Sequence, residues 1–152
     1  MGTWRVSWSQ NCYRLEVVYD WLCNGWHYNL DKATKFYDTL LNTIELHRVV
    51  TNEKYAGYAP KEKPDEVEFY ITNPVNKEKA TFGNGTQISF LVNSKDLVNN
   101  FYNTAIKLGA KDEGAPGIRS GDYYCYIRDF DGNKICAFSK MDSWNKFNSS
   151  KY

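Results

Sequence analysis

No stretch of the sequence gathers lysine or arginine into a stripe, and its charges nearly cancel: 19 basic residues against 18 acidic, formal +1. The electrostatic footprint of a nucleic-acid or anionic-membrane partner is therefore missing. Long apolar runs are missing too, and nothing approaches the ~20 residues that cross a bilayer as a helix. Cysteine is scarce, at positions 12, 23, 125 and 136, with no CxxC pair and no zinc-binding spacing. A chain of 152 residues buries enough surface to stand without disulfides. The cysteines therefore read as reduced thiols of a cytoplasmic protein. Met1 to Cys23 holds Trp4, Trp8 and Trp21 but lacks the basic-then-apolar order of a secretory signal. Its alternations, Trp4-Val6-Trp8 and Leu15-Val17-Tyr19, leave two readings: an atypical N-terminal extension, or a strand pair that covers a sheet edge.

What is present is a pair of helical stripes. Ala33, Phe36, Tyr37, Leu40, Leu41 and Ile44 recur at helix spacing, with Asn29 as N-cap and Asp31 in the first turn. Leu97, Val98, Phe101, Tyr102, Ala105 and Ile106 do the same between Ser94 as N-cap and Gly109 as terminator. A step of 65 residues carries Phe36 to Phe101, Tyr37 to Tyr102, Thr39 to Thr104 and Leu41 to Ile106. The shared register of the whole stripe predicts a duplication. Strand-like segments follow the same plan: 45–50, 54–59 and 67–71 after the first helix, then 87–92 before the second. A short piece at 110–112, then 123–128 and 134–139, complete the set. The prediction is an α+β fold: a β-α-β-β-β order written twice, as modules 24–80 and 81–140, with a tail 141–152. Pro60, Pro64, Pro74, Gly83-Asn84-Gly85 and Gly114-Ala115-Pro116-Gly117 punctuate the loops.

With helices on one side, strand parity assigns the opposite, cupped face. Ile88, Phe90 and Val92 are expected to meet the helices, leaving Gln87, Ser89 and Leu91 in the cup. Likewise Val67, Phe69 and Ile71 are core, and Glu68 and Tyr70 cup. The last hairpin turns through Asp129-Phe130-Asp131-Gly132-Asn133, with Gly132 left-handed. Pairing Asp129 with Asn133 sets Tyr126 opposite Cys136 and Tyr124 opposite Phe138 on the cup face. Cys125, Ile127, Ile135 and Ala137 then face the helices, which separates Cys125 from Cys136.

These segments resemble the vicinal-oxygen-chelate superfamily of glyoxalases, bleomycin resistance proteins and extradiol dioxygenases over about residues 29–140. The resemblance rests on Phe36-Tyr37-Asp38-Thr39-Leu40-Leu41, Gly83-Asn84-Gly85-Thr86-Gln87-Ile88, the run Asp112 to Arg119, and above all Arg128-Asp129-Phe130-Asp131-Gly132-Asn133-Lys134-Ile135. It implies two βαβββ modules forming a cupped mixed sheet with helices outside, a homodimer, and in many members a divalent metal in the cup. Metal-dependent members draw a His or Gln from the strand before each helix and a Glu from each last strand. Here those positions hold Gln87, its repeat mate Leu22, and Cys136, with Glu68 as the carboxylate candidate. Such a set mixes hard and soft donors and is one ligand short. Hence no cofactor is expected, with Glu68, Gln87 and Cys136 as the weak metal candidates.

The remaining chemistry-bearing residues each carry two readings. His27 is either a structural histidine or a substitute ligand, and His47 reads as solvated. Cys136 is either a small side chain that makes room for a ligand or a thiol nucleophile. Tyr70, Tyr124, Tyr126 and Phe138 are aromatic walls for a ligand or packing surface for a partner module or subunit. Arg119, placed after the Gly-Ala-Pro-Gly turn, either grips an anion in bidentate fashion or is a surface charge. The leading expectation is metal-free binding of a small aromatic or apolar molecule by Gln87, Ser89, Tyr70, Tyr124, Tyr126, Cys136, Phe138 and Arg119. The alternatives are a metal-dependent lyase or isomerase of the glyoxalase type, lactoylglutathione lyase-like or dioxygenase-like, and a structural or interaction protein. Fold kinship does not choose among them.

Overall fold

The computed structural model describes residues 23–26 and 29–141. The readings made of 1–22, His27 and the tail beyond 141 lie outside that range. Within it the order is β1 (Cys23–Trp26), α1 (Leu30–Asn42), β2 (Leu46–Thr51), β3 (Tyr55–Pro60), β4 (Phe69–Thr72), then β5 (Ile88–Leu91), α2 (Lys95–Lys107), β6 (Lys111–Arg119), β7 (Asp122–Arg128) and β8 (Lys134–Ser139). Each βαβββ module makes a four-stranded mixed sheet, ordered β1-β4-β3-β2 and β5-β8-β7-β6. The first strand of each module lies parallel to its last, and the other pairings are antiparallel. The two sheets thus have one topology, as the repeat predicts.

Both helices start where a side-chain oxygen satisfies an unpaired N–H. Asn29 Oδ1 accepts from Lys32 N–H at 2.9 Å, and Ser94 Oγ accepts from Leu97 N–H at 3.2 Å. Helix α2 stops because Gly109 adopts φ +92°, the left-handed terminator. No glycine follows α1, and Glu45 itself turns the chain at φ +63°. It therefore precedes β2 rather than opening it, as the sequence suggested.

The apolar stripes go where expected except at Ile106, which is exposed. Phe36, Tyr37, Leu40 and Leu41 of α1 and Val98, Phe101 and Ala105 of α2 share one buried cluster with Phe69, Ile71, Ile88, Phe90, Val92, Cys125, Ile127, Ile135 and Ala137. Burying each large side chain contributes ~1.5–3 kcal/mol. Ring contacts run through both modules: Tyr37 to Phe69 at 5.2 Å, Phe69 to Phe90 at 5.6 Å, and Phe90 to Phe101 at 6.1 Å. A polar contact joins them as well. Tyr37 of α1 donates its hydroxyl to Asp129 Oδ2 in the β7–β8 turn at 2.7 Å. Asp129 is buried, and it also accepts from the Asp131 and Asn133 backbone N–H groups and the Asn133 side-chain amide.

The β7–β8 register is the expected one, with Tyr126 opposite Cys136 and Tyr124 opposite Phe138, and Gly132 has φ +88°. Gly132 has a second reason to be glycine: a Cβ there would collide with the Phe82 ring. Left-handed strain on an L residue costs ~1–2 kcal/mol, so Gly132→Ala should lose about 2 kcal/mol in urea unfolding. The same substitution in a Phe82→Ala background should cost less, because only the backbone strain is left.

The segment after α2 departs from expectation. In place of a short piece at 110–112 and a Gly-Ala-Pro-Gly loop, β6 runs unbroken from Lys111 to Arg119. Its register against β7 shifts between Asp112 and Gly114 and again between Gly114 and Gly117. As the last strand in its sheet, β6 tolerates Pro116 and the two irregularities, since an edge or a bulge can lose a ladder hydrogen bond. The true turn is Ser120-Gly121, both with positive φ, joining Arg119 opposite Asp122 as a two-residue hairpin.

Candidate functional site

On the second sheet, the face away from the helices is built from β5, β8, β7 and β6 in that order. Register aligns Ser89, Cys136, Tyr126 and Gly114 in one row across it. Tyr124 and Phe138 form the next row. Their rings are nearly parallel, 5.2 Å apart with 10° between planes, and Tyr126 continues the stack beyond Tyr124 at 6.1 Å and 8°. In this three-ring ladder Tyr124 and Tyr126 are partly exposed, while Phe138 is buried behind them. A Cβ on Gly114 would be tight, with Tyr126 Cδ2 3.0 Å away and Arg119 Nη2 3.2 Å away.

Arg119 closes the ladder, but by a different device from either role expected of it. Its Nη1 donates to the carbonyls of Gly117 and Tyr124, at 3.3 and 2.9 Å, and its Nη2 to that of Ala115 at 2.8 Å. The guanidinium also lies over the Tyr126 ring, 5.2 Å from its centroid. It braces the irregular backbone of β6 and covers one ring, which spends most of a bidentate grip before any ligand arrives.

Polar groups of the floor are linked among themselves. Gln87 Nε2 donates to Ser89 Oγ at 2.9 Å, and Ser89 stands opposite Cys136 across β5 and β8. Cys136 is wholly buried, not half-buried as expected. Burial, and then neighbouring Cys125, pushes its thiol up to about 12, against the smaller opposing effects of Ser89, Lys134 and Arg119. A thiol held so firmly protonated is a poor nucleophile and a poor ligand.

Glu68 does not join this group. Both Glu68 and Phe69 stand against Tyr58, whose carbonyl accepts from Glu68 N–H at 2.9 Å while Phe69 holds the register position. That extra residue reverses the expected parity, as a β-bulge does. Val67, assigned to the core, instead crowds the open side of Gly57 together with Tyr70 and Val50. Tyr70 is on the expected face but packs edge-on against Tyr55 at 5.6 Å, within the first module. The charges acting on Glu68 are those of Glu66 and Lys63, in its own loop.

Burial, and then the Glu66 charge, pushes the Glu68 carboxyl from 4.5 up to about 7, with Lys63 opposing. The folded state thus holds a proton that the unfolded chain has released, so stability falls as pH rises between those two values. Glu68→Gln should flatten that fall and raise stability at pH 8 by about 1 kcal/mol, the full shift being discounted for solvent screening. Urea titrations of both proteins at pH 4.5 and pH 8 measure it.

A separate cleft of about 140 Å³ lies between α1 and the β7–β8 turn, walled by Lys32, Phe36, Tyr37, Asp129, Phe130 and Asp131. Lys32 covers the Phe130 ring at 4.1 Å, and the Asp129 oxygens are engaged as described. Its groups serve the joint between the modules.

The sequence profile of the glyoxalase/bleomycin resistance protein/dioxygenase superfamily matches residues 28–137. The chain belongs to that superfamily. Among solved structures, this superfamily member is similar to a glyoxalase/bleomycin resistance protein from Albidiferax ferrireducens T118. The two are 34% identical with a TM-score of 0.70, over 78% of this chain and 96% of that one. It shares its fold with the fosfomycin resistance protein FosX from Mesorhizobium loti, at 14% identity and TM-score 0.59, over 82% and 94% of the two chains. The same holds for a lactoylglutathione lyase from Agrobacterium tumefaciens, at 17% and 0.55, over 79% and 93%. None of the curated proteins matches the chain.

The resemblance to this superfamily implies a divalent metal in the cup, and the donors described here do not fit one. Gln87 is exposed and bonds Ser89 through its amide nitrogen, which leaves its oxygen as a single weak donor, while Cys136 is wholly buried and Glu68 is turned into another environment. Among the described residues no three His, Cys, Asp or Glu side chains are grouped to hold an ion.

Proposed function

We propose that this superfamily member binds a small aromatic or apolar molecule on the open face of its second module, through contacts that need no metal. The observation that carries the reading is the parallel ladder of Phe138, Tyr124 and Tyr126. Phe138 is buried and backs the stack, so Tyr124 and Tyr126, both partly exposed, are the rings that a planar apolar partner can reach, with little conformational entropy left to lose. Ser89 and Gln87 stand at its edge as hydrogen-bonding groups. The ring contacts and the polar floor supply binding and orientation, and among the described residues no ionised nucleophile stands beside the ladder. The glyoxalase-type alternative requires donors that this floor does not offer.

The test is a titration with 2-naphthoate, followed by intrinsic fluorescence or calorimetry, before and after exhaustive dialysis against a chelator. Affinity should stay within about twofold. Loss of binding on dialysis, restored by one equivalent of a divalent ion, would refute the metal-free reading.

A further inference from the structure

The ladder sits in an unbalanced electrostatic setting. Residues 124, 126 and 128 of β7 and 134, 136 and 138 of β8 share the face away from the helices, so Arg128 and Lys134 belong to it with Tyr126. Arg119 joins them from β6 through its contact with the same ring. Against these three cations stands the carboxylate of Glu113. It is shared between Arg128, whose Nε lies 2.9 Å from Glu113 Oε1, and Lys111, whose Nζ lies 3.8 Å from the same oxygen. Arg128 is held further by its bond to the Gly132 carbonyl at 2.7 Å and by the Phe82 ring. Arg119 is held by backbone carbonyls.

Lys134 is different. Its side chain is half-buried, and its ammonium leans over the Tyr126 ring at 4.9 Å from the centroid. Among the described residues no carboxylate comes within ion-pair distance of it. A cation on a partly dry, aromatic surface keeps three N–H donors, and its field there is screened less than in open water. The ring beneath it compensates part of its charge but accepts none of those hydrogen bonds fully.

We propose that the ligand is a planar aromatic anion, an aryl carboxylate or a molecule of the same chemistry. Its ring packs against Tyr124 and Tyr126, which the buried Phe138 backs, and its charged group is received by Lys134. This deepens the proposed function and rests on it. Arg119 serves as a positioning residue: it fixes the Tyr126 ring and adds positive potential while its own donors stay on the β6 backbone. Shape selection falls to the rings and charge selection to one ammonium. The site should therefore discriminate between molecules of equal size by their charge.

The experiment compares 2-naphthoate with 2-naphthamide, which has the same ring system and nearly the same shape but no charge. Calorimetry at pH 7.5 is run on wild type, on Lys134→Met, which keeps the apolar stem, and on Lys63→Gln as a distant charge control. Wild type and Lys63→Gln should prefer the carboxylate by about tenfold or more. Lys134→Met should bring the two within about twofold by weakening naphthoate while leaving naphthamide unchanged. Equal affinities in wild type, or a preference that survives Lys134→Met, would overturn the assignment and leave the aromatic-binding reading standing. Failure of both probes to bind would remove that reading, and this one with it. Circular dichroism of each variant confirms that a loss is not unfolding.

Discussion

Asp129→Ala is expected to lose about 4 kcal/mol of stability, the largest effect of any single substitution considered for this chain. Asp129 is a buried residue that gathers the Asp131 and Asn133 backbone N–H groups, the Asn133 amide and the Tyr37 hydroxyl. Hydrogen bonds to a charged acceptor contribute ~1.5–3 kcal/mol each, and stranded buried donors cost more than the bonds themselves were worth. Part of the loss is recovered as the turn relaxes toward water, which is why the sum does not apply in full. Tyr37→Phe removes one of these bonds and keeps the ring packing, so it should lose only about 2 kcal/mol. Urea unfolding at pH 7 measures both. If Asp129→Ala and the double variant with Tyr37→Phe were equally stable, the two residues would be acting as one unit. If Asp129→Ala lost under 1 kcal/mol, the turn would not be the joint described here.

Tyr124→Leu is expected to weaken binding of an aromatic probe by about tenfold or more. Tyr124 is the middle ring of the ladder, in contact with Phe138 on one side and Tyr126 on the other. Leucine retains apolar area but offers neither a flat face nor a quadrupole, and aromatic pairs contribute ~0.5–1.5 kcal/mol beyond area alone. The backbone carbonyl that receives Arg119 stays in place, so the β6 brace should survive and the effect should appear in affinity rather than in fold. Titration with 2-naphthoate gives the number, and unchanged affinity would mean that the ladder is packing rather than a site.

Most of the fold was legible because it is written locally. Asn29 and Ser94 announce their helices by chemistry within three residues, and the stripe from Ala33 to Ile44 needs only helix spacing. The β7–β8 register followed from one turn, since Gly132 fixes the loop and strand parity carries the rest. Parity failed where an extra residue entered: the doubling of Glu68 and Phe69 against Tyr58 depends on β3, which no local pattern around Glu68 encodes. Strand β6 was misread because Gly114, Pro116 and Gly117 are loop residues by propensity and become strand residues only by lying at a sheet edge. The site was readable as a set of faces, so Tyr124, Tyr126, Cys136 and Phe138 were placed correctly on theirs. Their contacts were not readable. Arg119 is spent on carbonyls exposed by the β6 irregularities, which exist only in three dimensions. The Tyr37 bond to Asp129 spans 92 residues; the one available signal was that a buried tyrosine hydroxyl needs a partner somewhere.

That long-range bond also bears on how the two halves became different. One step of 65 residues along the chain, Tyr102 stands near Asp112, a residue of its own module whose charge adds to desolvation in raising the tyrosine hydroxyl above its usual range, whereas Tyr37 reaches into the opposite one. The duplicated segments are therefore no longer interchangeable parts. A protein assembled from two copies of the second half would have both tyrosines turned homeward and no latch at the seam, and one assembled from two copies of the first would have a tyrosine reaching for a turn that is not there. Each half now supplies the piece the other has given up.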